Sequence, residues 1–322
     1  MSRQKVRVRI PASTANLGPG FDTLGMALDL YAWIDMEITE ATSIHLHGEQ
    51  MQGIPTDKKN LVYKVAQQVF AAAGVDYPEL TISMYSDIPL TRGLGSSASA
   101  IVGGLYAANA LIGGKLSNEE LFQLATKLED HPDNVGASLY GGIVIAFWDG
   151  ERAESIRIEP DDRLEVLVAI PDFHLATEKA RNVLPKRVDM KDAVFNVSHS
   201  SLLVAALCTG NLSAIRLAMK DVLHQPYRAT LIPGMELILR DANQYGALGA
   251  ALSGAGPTIL ALVDKHEADK AKLEQFLLNS LRSQDVDAQL LWLKPSSKGV
   301  ELVSSDSEFN TLFEKAKGEV RA

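Results

Sequence analysis

Residues 89–99 read PLTRGLGSSAS and run directly into AIVGGLYAANALI, a stretch of small and apolar residues with nothing to break a helix. Gly93 and Gly95 let the backbone turn tightly and present consecutive N–H groups. The helix that follows aims its unsatisfied donors and positive dipole end at the same point. An anion suits such a place, and Ser96 and Ser97 add hydroxyls where phosphate loops hold Mg²⁺. The Walker pattern requires a lysine after its last glycine and the dinucleotide fingerprint a third glycine; the loop has neither. Taken alone, it reads first as a tight turn with a helix cap. Two further segments share its character: PASTANLGPGFDTLGMAL at 11–28, after an extended run, and LSGAGPTILALV at 252–263, leading into one. Each alone is ordinary turn chemistry.

Positioning these loops requires a sizeable scaffold. The 322 residues, 46% of them hydrophobic, can bury two cores, and two domains are expected, divided where DGERAESIRIEPDDR turns charged near 150–163. A net charge of −9 without any basic run excludes a nucleic-acid surface. No apolar run reaches the ~20 residues of a membrane span, and MSRQKVRVRI lacks the apolar core of a secretory signal. The single cysteine, Cys208, fits a reducing cytoplasm and reads as a packed small hydrophobe inside SLLVAALCTG. Strands are predicted at 6–10, 33–40, 80–88, 141–148, 164–171, 258–263 and 286–293. Helices are predicted at 60–74, 117–130 with a capping box from Ser117, 198–208, 212–222, 234–245 and 266–282, and the tail at 307–322 also reads as helical. Without regular strand–helix alternation, the class is α+β.

In order and separation, the three glycine-rich segments resemble the motifs of the GHMP small-molecule kinases, and most of all the homoserine kinases among them. The resemblance spans nearly the whole chain. It rests on PASTANLGPGFD at 11–22, PLTRGLGSSA at 89–98, HPDNV at 131–135, Thr177 and Arg181 in TEKAR before LP, and HQPYR at 224–228. It implies a two-domain GHMP-kinase fold, each domain a mainly antiparallel sheet packed with helices: an ATP-binding domain over 1–155 and a substrate-side domain over 156–322. The implied activity is direct in-line transfer of the ATP phosphoryl group to the side-chain hydroxyl of L-homoserine, a step in threonine biosynthesis. Phosphoryl transfer of this kind needs alignment and charge stabilisation more than covalent chemistry.

The resemblance also assigns residues. Pro89, Leu90, Thr91, Arg92, Gly93, Leu94, Gly95, Ser96, Ser97, Ala98 and Ser99 cradle ATP. Asn60 borders the adenine or simply caps a helix. Ser97 and Glu129 hold Mg²⁺. A zwitterionic acceptor needs a cation for its carboxylate, which Arg181 and Arg228 provide as planar forks, and an anion for its ammonium, which Asp22 beside Asn16 provides. Thr177, His131 and Asp133 complete the acceptor site, and Asn134 meets the reacting hydroxyl, with no dedicated base. Ser253 is placed near the substrate, while Gly254 and Gly256 brace the phosphate loop. Two departures stand out: Asp130 replaces the glycine usual before HPDN, and Ser86-Asp87 stand where a lysine is common. Alternatives are a sister kinase for mevalonate, shikimate or a sugar, and a nucleotide-sensing regulator on the same scaffold. The expected setting is a cytoplasmic homodimer with only small-molecule partners.

Overall fold

In the computed structural model, residues 5–76, 79–266 and 269–303 are described. The first half of the chain runs β1 (Lys5–Ala15), β2 (Leu24–Ile38), β3 (Ser43–His47), α1 (Leu61–Ala72), β4 (Leu80–Ser86), α2 (Ser96–Leu111), α3 (Asn118–Glu129), α4 (Asp133–Tyr140), β5 (Ile143–Trp148) and β6 (Ala153–Ile158). The second runs β7 (Leu164–Pro171), α5 (Thr177–Asn182), α6 (Met190–Thr209), α7 (Leu212–Ala218), α8 (Gln225–Arg228), α9 (Met235–Asp241), β8 (Gly249–Leu252), β9 (Ile259–Asp264), α10 (Lys270–Arg282), β10 (Ala288–Leu293) and β11 (Glu301–Val303). The class is α+β, as the sequence implied.

Two sheets carry the fold. The larger has the order β11-β1-β2-β4-β3 with β5 and β6 branching from β2, antiparallel except between β3 and β4. The smaller has the order β10-β7-β9-β8, antiparallel throughout. The boundary expected near residue 155 falls inside β6, and β11 returns from the far end of the chain to pair with β1. Among the described residues no helix is long and apolar enough to cross a membrane.

The β1–β2 ladder slips its register between Pro11 and Ala12, so Ala12–Ala15 run on beside Leu28–Gly25 instead of ending at the sheet edge. That extension delivers the first glycine-rich loop to the centre of the molecule. The alternating charges of VRVRI do not all face water. Arg7 is buried and forms a double hydrogen bond to Asp35, its partner across the ladder, at 2.6 and 2.7 Å.

Helix α2 is buried nearly all round, as a run without charged residues allows. Gly103 and Gly104 let it approach its neighbours: a Cβ on the first would lie 2.7 Å from Ile10 and Ile34 side-chain atoms, and on the second 2.4 Å from Val65. The apolar LEVLVAIP of β7 reflects cover on both faces. Val166, Val168 and Ile170 join the large core with β1, β2 and α6, while Leu167 and Ala169 join a smaller one with α9 and α10.

Several helices differ from expectation. Two helices are not among those expected: α4, which Asp133 opens inside HPDNV, and α5, formed by the TEKAR run. Helix α6 starts at Met190, eight residues before the expected 198, and α7 ends at Ala218. Cys208 is exposed, correcting its reading as a packed hydrophobe. Leu203, Ala206 and Leu207 take the buried stripe of α6, and the helical turn per residue carries position 208 outward. The capping box on α3 is present as expected, with Ser117 and Glu120 reciprocally bonded. The tail at 307–322 lies outside the described residues.

Candidate active site

Three walls enclose one recess. The first is α2. Gly95 precedes it in the left-handed region at φ 72° and provides no side-chain cap. The Ser99 amide is taken by the Gly95 carbonyl, so the amides of Ser96, Ser97 and Ala98 form the uncapped helix end. Both loop glycines are obligatory. A Cβ on Gly93 would stand 2.4 Å from the Ser253 carbonyl oxygen, and one on Gly95 would stand 2.1 Å from Ser13 Oγ. Ser97 Oγ donates to Glu129 Oε1 at 2.5 Å. Hydroxyl and carboxylate are hard oxygen donors, and this pair beside a phosphate-type loop fits Mg²⁺ with phosphate oxygens completing its shell. Among the described residues no group of three or more His, Cys, Asp or Glu side chains is arranged to hold a metal by itself.

Helix α4 supplies the second wall. Asp133 is buried, and its Oδ1 accepts from its neighbour's amide, Asn134 N, at 2.7 Å and sits 2.9 Å from His131 Nδ1. The other ring nitrogen of His131 lies 3.6 Å from Glu129. Burial pushes the imidazole down, but the Asp133 hydrogen bond and the charges of Asp133, Glu129 and Asp22 outweigh it and hold the pKa above the ordinary 6.5. Asn134 Oδ1 accepts from Ser13 Oγ at 2.9 Å, so a serine of β1 fixes the orientation of the amide. Asp130 ends α3 in the left-handed conformation, φ 61°, its side chain exposed. That is the geometry glycine adopts freely, which explains why glycine is the usual residue at this position and why aspartate can stand in for it.

The third wall comes from the second half. Helix α5 carries Thr177 and Arg181, and α8 carries Arg228. Arg181 forms a bidentate pair with Asp22, Nη1–Oδ2 3.0 Å and Nη2–Oδ1 2.9 Å. The two groups expected to clamp opposite ends of a zwitterion therefore hold each other. Burial lowers the Arg181 pKa, but the Asp22 hydrogen bond and charge outweigh it and leave it raised. Arg228 is 2% exposed. Its Nε donates to Ala180 O at 3.1 Å and its Nη1 to Gly254 O at 3.0 Å. Burial and then the nearby Arg181 charge pull its pKa down to about 10, so it remains a cation at neutral pH. Both guanidinium carbons lie over the Phe21 ring, at 5.8 and 5.3 Å.

Of the residues singled out in the sequence, Asn16, Asp22, Thr91, Gly93, Gly95, Ser96, Ser97, Ala98, Glu129, His131, Asp133, Asn134, Thr177, Arg181 and Arg228 line this recess. Six do not. Leu94 and Ser99 are core residues behind the loop. Pro89, Leu90 and Arg92 border a separate groove with Gln50 and His174, and the Arg92 guanidinium is turned onto Pro171 O and Asp172. Asn60 is buried and caps α1 through Val62 N at 2.9 Å, its amide nitrogen held by Pro55 O at 2.8 Å. Within the recess, Asn16 uses its amide structurally, linking Asp22 N to Gly254 O. Ser253 is buried behind the loop, bonded to Thr14 and to the Gly93 carbonyl.

The residues that sequence reasoning passed over are Ser13, Phe21 and His224. All three lie inside quoted motifs, but each contacts other side chains of the site, for which composition carries no signal. Asn16, Leu17 and Asp22, all non-glycine, have positive φ of 73°, 47° and 55°, the kind of backbone strain that collects at functional loops.

The chain matches the models of the GHMP kinases N terminal domain over residues 60–142 and of the GHMP kinases C terminal over 203–275. It is similar to a homoserine kinase of Desulfitobacterium hafniense, 43% identical over 92% of this chain and 100% of that one. It is also similar to one of Caldicellulosiruptor bescii, 45% identical over 94% of this chain and 98% of the other. The chain belongs to the homoserine kinase family of GHMP kinases. The crystal structure of homoserine kinase from Cytophaga hutchinsonii superposes with a TM-score of 0.84 at 28% identity, covering 94% of this chain and 98% of that one.

Proposed function

We propose that this chain transfers the γ-phosphoryl group of ATP to the side-chain hydroxyl of L-homoserine, yielding O-phospho-L-homoserine and ADP. The observation that carries this reading is the bipolar recess, in which uncapped amides of α2 face a carboxylate and two guanidinium groups suited to a small zwitterion. The α2 amides bind phosphate oxygens and stabilise the charge that spreads over them during transfer. Arg181 and Arg228 hold the acceptor's carboxylate, and Asp22 its ammonium. Binding then exchanges the Asp22–Arg181 pair for two pairs with the ligand. Asn134, with Oδ1 committed to Ser13, directs its Nδ2 at the acceptor hydroxyl and orients it for in-line attack.

His131 lies between two carboxylates with a raised pKa, which makes it an anchor for Asp133 and a poor proton acceptor. The hydroxyl proton accordingly leaves on a phosphate oxygen. A Mg²⁺ ion held by Ser97 and Glu129 would neutralise phosphate charge. We also assign the larger sheet to the nucleotide side and the smaller, with α5 and α8, to the acceptor side, and we place the enzyme in the cytoplasm as a homodimer. The test is ADP release from purified protein with Mg·ATP and a panel of L-homoserine, D-homoserine, L-threonine, mevalonate, shikimate and galactose. Turnover confined to L-homoserine is expected; stronger turnover of another acceptor overturns the assignment.

A further inference from the structure

The HQPYR segment contributes more than its arginine. His224, immediately before α8, is completely buried. Its Nε2 lies 2.8 Å from the Gly18 carbonyl oxygen, and its Nδ1 lies 3.3 Å from Arg228 Nη1. A carbonyl can only accept and a guanidinium can only donate, so these contacts define a neutral ring with its proton on Nε2 and its Nδ1 lone pair turned to Arg228. The ring stacks on Phe21 with centroids 5.0 Å apart, the same phenyl that lies under the Arg228 guanidinium.

The charged groups facing His224 are Asp221, Arg228 and, farther off, Asp22. Asp221 comes within 3.5 Å of Nε2, but its carboxylate is engaged by the backbone amides of Leu223, His224 and Gln225. Burial holds the imidazole below its ordinary pKa, Asp221 opposing and Arg228 assisting. The remaining acceptors that Arg228 meets are backbone carbonyls of Ala180 and Gly254. His224 thus ties the arginine, through a side chain, to the first glycine-rich loop.

We infer that His224 is a positioning residue: as a neutral acceptor it orients the Arg228 guanidinium toward the recess and thereby sets affinity for the acceptor's carboxylate. This rests on the proposed role of Arg228 as a carboxylate clamp. The experiment is steady-state kinetics on the intact protein with two variants. His224→Gln keeps an N–H able to reach Gly18 but carries its carbonyl one carbon beyond the Nδ1 position that Arg228 meets, whereas His224→Asn places a carbonyl near the Nδ1 position and gives up the Gly18 bond.

The Gln variant is expected to raise KM for L-homoserine roughly tenfold, the scale of one hydrogen bond to a charged group, while KM for ATP stays within about twofold. The Asn variant recovers most of that loss. Equal damage in both variants, or KM values for both substrates rising together, reveals a packing role and overturns the inference. Arg228→Leu is measured in parallel. If it raises KM for L-homoserine and His224→Gln does not, the positioning role alone fails; if Arg228→Leu leaves that KM unchanged, the carboxylate reading fails with it. Should neither His224 variant fold, nitrogen NMR of histidine-labelled unaltered protein decides. An unprotonated Nδ1 at neutral pH supports the inference, and a charged ring or an Nδ1–H tautomer overturns it.

Discussion

Arg181 is already committed to Asp22 before any ligand arrives, so its fork is oriented in advance but must be released to bind a carboxylate. Arg181→Leu removes a bidentate charged contact of about 1.5–3 kcal/mol and is expected to raise KM for L-homoserine roughly ten- to a hundredfold, leaving KM for ATP within a few fold. Equal effects on both substrates would falsify the assignment of Arg181 to the acceptor. His131 yields a pH prediction. Its folded-state pKa is raised above 6.5, so the stability it contributes as a cation is complete below that value and is lost as pH rises through the folded pKa. In urea titrations the advantage of the unaltered protein over His131→Gln should shrink as the pH rises above about 6.5. An advantage that grows with pH would contradict a cationic His131.

At the scale of elements, the recess depends on the packing of β1 against the loop before α2. Ser13 N donates to Leu94 O at 3.2 Å, while Ser13 Oγ reaches Asn134 on α4. One strand residue therefore sets the spacing between the glycine-rich loop and the helix carrying Asn134. Gly95→Ala drives a methyl into Ser13 Oγ and forces a side chain into the left-handed region. The strain, about 1–3 kcal/mol, is expected to lower kcat/KM for ATP by roughly tenfold to a hundredfold, because both the loop and Asn134 are displaced. Unchanged kinetics in a folded Gly95→Ala protein would mean that Ser13 yields without consequence. The elements themselves were partly legible. Strands with strong β-branched content, such as β7 and β9, and the capped α3 stood out, whereas β3, α4, α5 and β8 did not. Short segments carry little periodicity, and α4 opens in the proline-containing HPDNV, which reads locally as a turn.

Across the whole molecule, the net charge of −9 opposes the approach of a polyanionic nucleotide, so attraction is confined to the recess. Raising ionic strength from about 10 mM to about 150 mM shortens the reach of that repulsion from about 30 Å to about 8 Å. The expected outcome is a rise in kcat/KM for ATP over this range, with kcat/KM for the zwitterionic L-homoserine changing far less. A fall for ATP would show that the local positive field extends beyond the recess and outweighs the net charge. The same geometry makes the two sheets interdependent, since Gly254 N donates to Ala15 O and Thr258 N to Arg92 O across their junction.

By itself, the sequence determined the class of chemistry and its ingredients. Glycines at 93 and 95, the paired serines, HPDNV and the two arginines are legible in type and order, because left-handed turns and planar bidentate forks tolerate few residue choices. Tertiary structure alone decided which of them converge. It turned Arg92 away onto Pro171, spent Asn60 on a helix cap, exposed Cys208, and brought residues from both halves of the chain to one recess. It also assigned supporting functions to Ser13, Phe21 and His224. Those assignments arise from contacts between residues far apart in the chain, such as the 121 positions separating Ser13 from Asn134. Local composition and spacing hold no record of such contacts; only the packing of the two sheets creates them.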